Sequence, residues 1–219
     1  GKRIASYESL AAFAPHQGEP ASGDAGCVIF TTSGTTKAPK FVLHDQRTVI
    51  GHGADVASGF ALDASSVMFL APPLCGVFGF CCAMAALVAG RPLGMRPSWD
   101  AALAAADIAG FGVTHLNASD DAVQQLLAQS EAAIPYPTLR FVGYAAFNPA
   151  LGDLLPRADR RGLKLVGLYG TSEIQALFAR QPEDAPANER MLGGGLPVSR
   201  EAKVRVDRKS TRLNSSHVA

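Results

Sequence analysis

Short apolar runs alternate along this chain with longer, Ala-rich stretches whose apolar residues recur at helical spacing. The runs Gly26–Thr31, Ser66–Ala71, Val113–Asn117, Leu139–Ala145 and Leu163–Leu168 read as strands that are apolar on both faces. Arg47–Phe60, Phe78–Ala89, Asp100–Ala109, Asp120–Gln129 and Pro149–Arg161 read as helices. A strand with no polar face has to be covered on both sides, so the alternation predicts an α/β fold, a parallel sheet flanked by helices. The character changes over Met191–Asp207. There Gly193-Gly194-Gly195 leads to Lys203-Val204-Arg205-Val206, an alternation expected of a half-exposed strand that starts a β-rich subdomain.

Arg208–Ala219 has no apolar periodicity and differs in composition from the Ala/Gly/Leu-rich body. It is similar to translated adaptor or vector sequence, so 1–207 are expected to form one partial domain and 208–219 a non-native or disordered tail. Val67–Gly90 carries no charged residue and has the length of a bilayer span. Pro72-Pro73, Gly76 and Gly79 break it near its start, which leaves a short helix of core type and predicts no membrane span. Gly1-Lys2-Arg3 is not followed by an apolar run of the signal-peptide kind, and the expected setting is cytoplasmic.

Twenty basic against 19 acidic residues give a net charge of +1, which opposes a broad nucleic-acid surface or a polybasic membrane patch. Cys27, Cys75, Cys81 and Cys82 all lie in apolar runs and show no zinc-ligand spacing, so buried thiols in a reducing compartment are expected.

The chemistry-bearing segment follows the first strand. Cys27-Val28-Ile29-Phe30 runs directly into Thr31-Thr32-Ser33-Gly34-Thr35-Thr36-Lys37-Ala38-Pro39-Lys40. Small hydroxyl residues around a glycine supply many backbone N–H and side-chain O–H donors, as a polyphosphate requires. Lys40 adds a point charge beside Pro39, whose ring restricts the local backbone. The Walker-type loop needs a glycine directly before its lysine and Ser or Thr after it. Here Pro39 precedes Lys40 and Phe41 follows, so that template fails.

Thr-Ser-Gly-Thr-Thr-x-x-Pro-Lys after an apolar strand resembles the signature loop of the adenylate-forming superfamily, which includes acyl- and aryl-CoA synthetases, luciferases and nonribosomal-peptide adenylation domains. Two positions depart from its pattern: Lys37 and Phe41 stand where the family commonly has glycine. A second segment, Tyr169-Gly170-Thr171-Ser172-Glu173 after Leu163–Leu168, resembles the family's Tyr-Gly-x-Thr-Glu motif. The resemblance implies that Thr32, Ser33, Gly34, Thr35, Thr36, Lys37 and Lys40 hold phosphates and that Tyr169 stacks on adenine beside Gly170 and Thr171. It further implies that Ser172 takes the α-phosphate role and that Glu173 holds Mg²⁺. Lys40, Ser172 and Glu173 are the implied catalytic set. An aromatic face suits a purine, and a carboxylate is a hard ligand suited to Mg²⁺.

Three further segments carry weaker resemblance. Gly143-Tyr144-Ala145-Ala146-Phe147 sits where the family has a loop whose backbone faces adenine and acyl group, which makes Gly143, Tyr144 and Ala145 nucleotide-site candidates. Ala71–Gly79 resembles the segment beside the acyl pocket, with Gly76 in place of its histidine. Gly195-Leu196-Pro197-Val198 resembles a Gly-x-Pro segment that follows the second motif.

The implied fold is the central part of the family's large N-terminal domain. The implied reaction is ATP-dependent activation of a carboxylic acid to an acyl-adenylate, followed by transfer to coenzyme A. Loading of a carrier-protein thiol is the alternative acceptor, and a non-catalytic nucleotide-binding fragment is the alternative class. The family's ribose-binding Asp, hinge and lysine-bearing mobile domain are not found, so these 219 residues alone are expected to be inactive.

Phe78, Phe80, Tyr144 and Phe147 are candidates either for an apolar acid pocket or for core packing. His44 lies just after the loop and reads as a satisfied structural histidine; His52 and His115 show no nucleophile partner. Asp120-Asp121 reads as a helix start.

Overall fold

The computed structural model describes residues 18–32 and 39–205. Two sheets organise them. The first strand, β1 (Gly26–Thr32), pairs antiparallel with β2 (Lys40–Asp45) as a two-stranded hairpin. The expected parallel sheet is built instead from β3 (Met68–Leu70), β4 (Leu93–Met95), β5 (His115–Ser119), β6 (Phe141–Ala145) and β7 (Leu165–Tyr169). Two short antiparallel strands, β8 (Ala179–Arg180) and β9 (Leu196–Pro197), extend it to the order β4-β3-β5-β6-β7-β8-β9.

Six helices connect these strands: α1 (Gln46–Gly59), α2 (Val77–Val88), α3 (Ala101–Gly110), α4 (Asp120–Leu127), α5 (Leu154–Arg160) and α6 (Ala187–Arg190). Their starts are written in the sequence. Asp45, Asp100 and Ser119 each accept a hydrogen bond from an N–H in the first turn of α1, α3 and α4. The expected helix Pro149–Arg161 divides into a 3₁₀ turn, Pro149–Leu151, and α5. Asn148 caps the turn, and Gly152-Asp153 separate the two pieces.

The sheet is buried on both faces, as its strands require. Phe69, Leu116, Ala118, Val142, Tyr144 and Leu165 pack with α3, α4 and α5. Met68, Leu70, Phe141, Val166 and Leu168 pack with α1 and α2. Chain order therefore takes α2 to one face and α3, α4 and α5 to the other. The carboxyl ends of neighbouring strands β3 and β5 become a switch point, where α/β sheets open crevices.

Three expectations need correction. The strand Gly26–Thr31 lies outside the parallel sheet: it pairs antiparallel with β2, and the hairpin is covered on one face only, leaving Ile29, Phe41 and Leu43 exposed on the other. Lys203–Arg205 form no strand, since no described segment pairs with them, and Val204 is exposed; Val206 lies outside the described residues. Only Cys81 and Cys82 are buried, whereas Cys27 and Cys75 are exposed on the hairpin and in the loop before α2. Among the described residues no helix is long and apolar enough to cross a membrane.

Candidate functional site

The hairpin register decides what the phosphate-loop segment presents. Thr32 pairs with Lys40, Phe30 with Val42 and Val28 with His44, and paired residues of an antiparallel ladder share a face. Phe30 and His44 are buried on that inner face, whereas Ile29, Phe41 and Leu43 are exposed on the other. Thr32, half-buried, and Lys40, exposed, thus stand on the covered side of the hairpin, at the end where the two strands are connected. Ser33, Gly34, Thr35, Thr36 and Lys37 lie outside the described residues.

Three hydrogen bonds join the hairpin and α1 to the second motif and the loop after it. The His44 imidazole Nε2–H donates to the Ser172 carbonyl at 2.7 Å. The His52 Nε2–H on α1 donates to the Ala176 carbonyl at 2.7 Å, and the Gln175 amide donates to the Thr48 carbonyl at 3.1 Å. Phe30 supports the arrangement, with its ring 5.5 Å from Phe80 edge-on and 6.0 Å from His44. Burial holds the His52 pKa below its ordinary 6.5, with the Ala176 carbonyl pulling partly the other way. Burial thus favours the neutral imidazole, whose Nε2–H makes this bond.

The loop from Tyr169 to Leu177 turns back tightly on itself. Gln175 and Leu177 hold positive φ of 64° and 66°, a region that side-chain-bearing residues enter only under constraint. A Cβ on Gly170 would lie 2.6 Å from the Ala176 Cα, so the glycine of Tyr-Gly is required by close backbone approach. A similar limit holds one strand away, where a Cβ on Gly143 would sit 2.3 Å from Asn117 Oδ1 and 2.8 Å from Leu168 Cδ1.

At the carboxyl ends of β6 and β7 a cavity of about 330 Å³ opens, lined by Val77, Phe78, Ala145, Phe147, Tyr169 and Gly170 among others. Tyr169 is half-buried at its wall, Thr171 and Ser172 are half-buried beyond it, and Glu173 is exposed. Tyr144 also borders the cavity, but its ring belongs to the core and its hydroxyl donates to the Met191 carbonyl at 3.1 Å. Burial, with Asp120 adding a smaller push, raises the Tyr144 pKa, so this phenol is a structural donor. Of the four aromatic candidates, Phe78, Tyr144 and Phe147 line the cavity, while Phe80 packs on Phe30.

Asp120 does more than begin a helix. It is 1% exposed, and its Oδ2 accepts from the backbone N–H groups of Phe147 and Asn148 at 2.8 and 2.7 Å. Asp121 accepts from the Asn148 amide at 2.9 Å, so the two acids together fix the loop after β6. His115 is satisfied by the Phe60 carbonyl and by Thr114, as expected of a structural histidine. Burial pushes the Cys81 thiol up to about 12 and Cys82 still higher, so neither is a thiolate near neutrality.

Sequence reading missed the part that His44, His52 and Gln175 play in joining the two motifs. A signal was present for the first. His44 lies four residues after Lys40, an even spacing that puts both on one face of a strand.

Residues 2–214 match the AMP-binding enzyme family. The chain belongs to that family. It is 30% identical over 188 residues to the sulfoacetate–CoA ligase of Cupriavidus necator, a match that covers 84% of this chain and 36% of that protein. The chain thus spans about a third of the length of this curated relative. Among solved structures, the o-succinylbenzoate CoA synthetase of Bacillus subtilis bound to a product analogue superposes with a TM-score of 0.80 at 19% identity, over 94% of this chain and 42% of that one. The same synthetase in complex with ATP and magnesium gives 0.78 at 18% identity, over 92% and 42%. This AMP-binding enzyme shares their fold.

Proposed function

We propose that this chain carries the nucleotide and acid subsites of an ATP-dependent acid–thiol ligase, which converts a carboxylic acid to an acyl-adenylate and passes the acyl group to coenzyme A. One observation carries the reading. The His44–Ser172 hydrogen bond ties the strand bearing Lys40 to the Tyr169–Glu173 segment, so a phosphate-loop hairpin and an aromatic–carboxylate motif stand at one site. Family membership supports it, as do the curated relative that is a CoA ligase and the synthetase structure that holds ATP with magnesium.

In this reading the protein supplies no nucleophile, because the substrate carboxylate attacks the α-phosphorus of ATP and pyrophosphate leaves. Lys40 and the loop N–H groups offset the charge of the phosphates, and Tyr169 packs against adenine. Ser172 hydrogen-bonds the α-phosphate region. Gly143, Tyr144 and Ala145 contribute backbone to the adenine side, with the Tyr144 ring kept in the core.

Glu173 is the residue that would hold Mg²⁺. It is exposed, and no cluster of three His, Cys, Asp or Glu residues stands among the described residues. One carboxylate fits this ion, which keeps waters and takes its remaining ligands from substrate phosphates. When bound, the ion neutralises phosphate charge.

The test is ATP–pyrophosphate exchange by the full-length protein over a panel of carboxylic acids. Lys40→Ala and Glu173→Ala are each expected to lower exchange by about a hundredfold or more. Exchange at wild-type rate in both variants would place the site elsewhere, and exchange with no acid would refute the reading.

A further inference from the structure

The segment between β7 and β8 is a hairpin loop with a buried foot and an open crown. Its flanks pair, Leu168 with Arg180 and Tyr169 with Ala179. Gln175, Ala176 and Leu177 form the foot and are all buried. Thr171, Ser172 and Glu173 form the crown, the first two half-buried and Glu173 exposed. The two parts touch. A Cβ on Gly170 would lie 2.8 Å from both the Gln175 carbonyl oxygen and the Leu177 nitrogen, so the foot sits against the residue with which the crown begins.

The foot turns through a conformation that its residues resist. Gln175 and Leu177, at φ of 64° and 66°, occupy the left-handed region, where Cβ crowds the carbonyl oxygen. Such backbone persists only where the surroundings over-determine it. Leu177 is held by the core that α1 and α2 cover. Gln175 is held by its own amide, which spans two helices. Its Nε2–H donates to the Thr48 carbonyl on α1 at 3.1 Å, and its Oε1 faces the Cys81 thiol on α2 at 3.9 Å. Thr48 lies in the first turn of α1, whose cap Asp45 ends the strand that begins at Lys40. The crown has far less support. From the described residues, one hydrogen bond reaches 170–174, that of His44 to the Ser172 carbonyl. Its course is inherited from the foot.

We infer that Gln175 is a positioning residue for Ser172 and Glu173: strapped between α1 and α2, it holds the left-handed turn that aims the crown at the phosphates and their Mg²⁺. This rests on the adenylation reading above. Gln175 does not line the cavity beside Tyr169 and acts through the backbone that leads to Glu173. The position needs a donor of this reach on a turn that glycine alone enters freely. Methionine would fill the space without the amide, and glycine would make the turn without filling the space.

Two measurements on the full-length protein test this. The first is ATP–pyrophosphate exchange, with the acid that wild type uses best, in Gln175→Met and Gln175→Gly. A loss of about a hundredfold is expected for Gln175→Met and about tenfold for Gln175→Gly, because glycine keeps the turn without the strap. The order is the diagnostic, since a residue that only packs is replaced better by methionine than by glycine. Exchange in Gln175→Met at or above that in Gln175→Gly would overturn the proposal.

The second measurement needs no turnover: ATP is titrated calorimetrically with Mg²⁺ and with EDTA. Wild type is expected to bind ATP more tightly with the ion, and both variants to lose most of that gain while keeping the affinity in EDTA. An undiminished gain, or an equal loss in both conditions, would overturn the proposal. If Gln175→Met does not fold, Gln175→Gly carries the calorimetric test alone. If no acid supports exchange, adenylation has failed as a reading, and the Mg²⁺ gain still decides the role of Gln175. If wild type shows neither exchange nor gain, both fall.

Discussion

The parallel sheet and the β1–β2 hairpin hold the two halves of this site by different means. The sheet is covered on both faces, and its site residues sit on strand ends whose positions are set by core packing on either side. The hairpin has one covered face and one exposed, with Ile29, Phe41 and Leu43 all more than half exposed. The hairpin and the helix α1 that follows it meet the second motif and the loop after it through polar contacts of His44, His52 and Gln175. Changes in the sheet should therefore lower stability first and activity as a consequence. Changes in the polar clamp should lower activity with little loss of stability, because a hydrogen bond contributes only about 1 kcal/mol net while positioning governs rate steeply.

The sharpest test on the sheet side is Gly143→Val. Its side chain would meet Asn117 and Leu168 inside van der Waals range, and a loss of roughly 2–3 kcal/mol in urea unfolding is expected. An unchanged unfolding midpoint would mean that β5 and β6 are not held by packing. Asp120→Ala should follow at roughly 2 kcal/mol, because two part-buried N–H groups lose their carboxylate acceptor. The same change in Asp121, which is more exposed, should have a smaller effect.

On the hairpin side, His44→Ala is expected to lower exchange by on the order of a hundredfold with a stability change near 1 kcal/mol. Equal and large losses in both would merge the two regions into one structural unit and erase the contrast. The smallest effect concerns pH. His52 and His115 both have folded pKa values held below 6.5 by burial. The unfolded chain therefore takes up protons that the folded one refuses, and stability present above the unfolded value falls as pH drops from about 6.5 toward the folded values. His52→Gln should flatten part of that acid-side decline, measured as the urea midpoint between about pH 7 and 5. A decline steeper than wild type would assign the titration elsewhere.

Much of the sheet was legible from sequence because β3, β5, β6 and β7 are apolar runs that no exposed element would carry. Each was placed within two residues at both ends, and every one was begun two residues early. β4, β8 and β9 were missed because strands of two or three residues carry no period. β2 was missed for a different reason. Its polar ends, Lys40 and Asp45, read as loop and helix cap, and only pairing with β1 makes the stretch a strand.

For the site, the sequence by itself determined the chemistry on offer: the hydroxyl-rich loop with Lys40, and Tyr169 through Glu173. Residue type and local spacing are enough to fix donors, charge and aromatic faces. The tertiary structure decided which of these stand together and what surrounds them. The His44–Ser172 contact joins positions 128 residues apart, and the Trp99 indole N–H reaches Gln125 on α4. Contacts of that range arise from how helices cover a sheet, and no local pattern of apolar and polar residues encodes them.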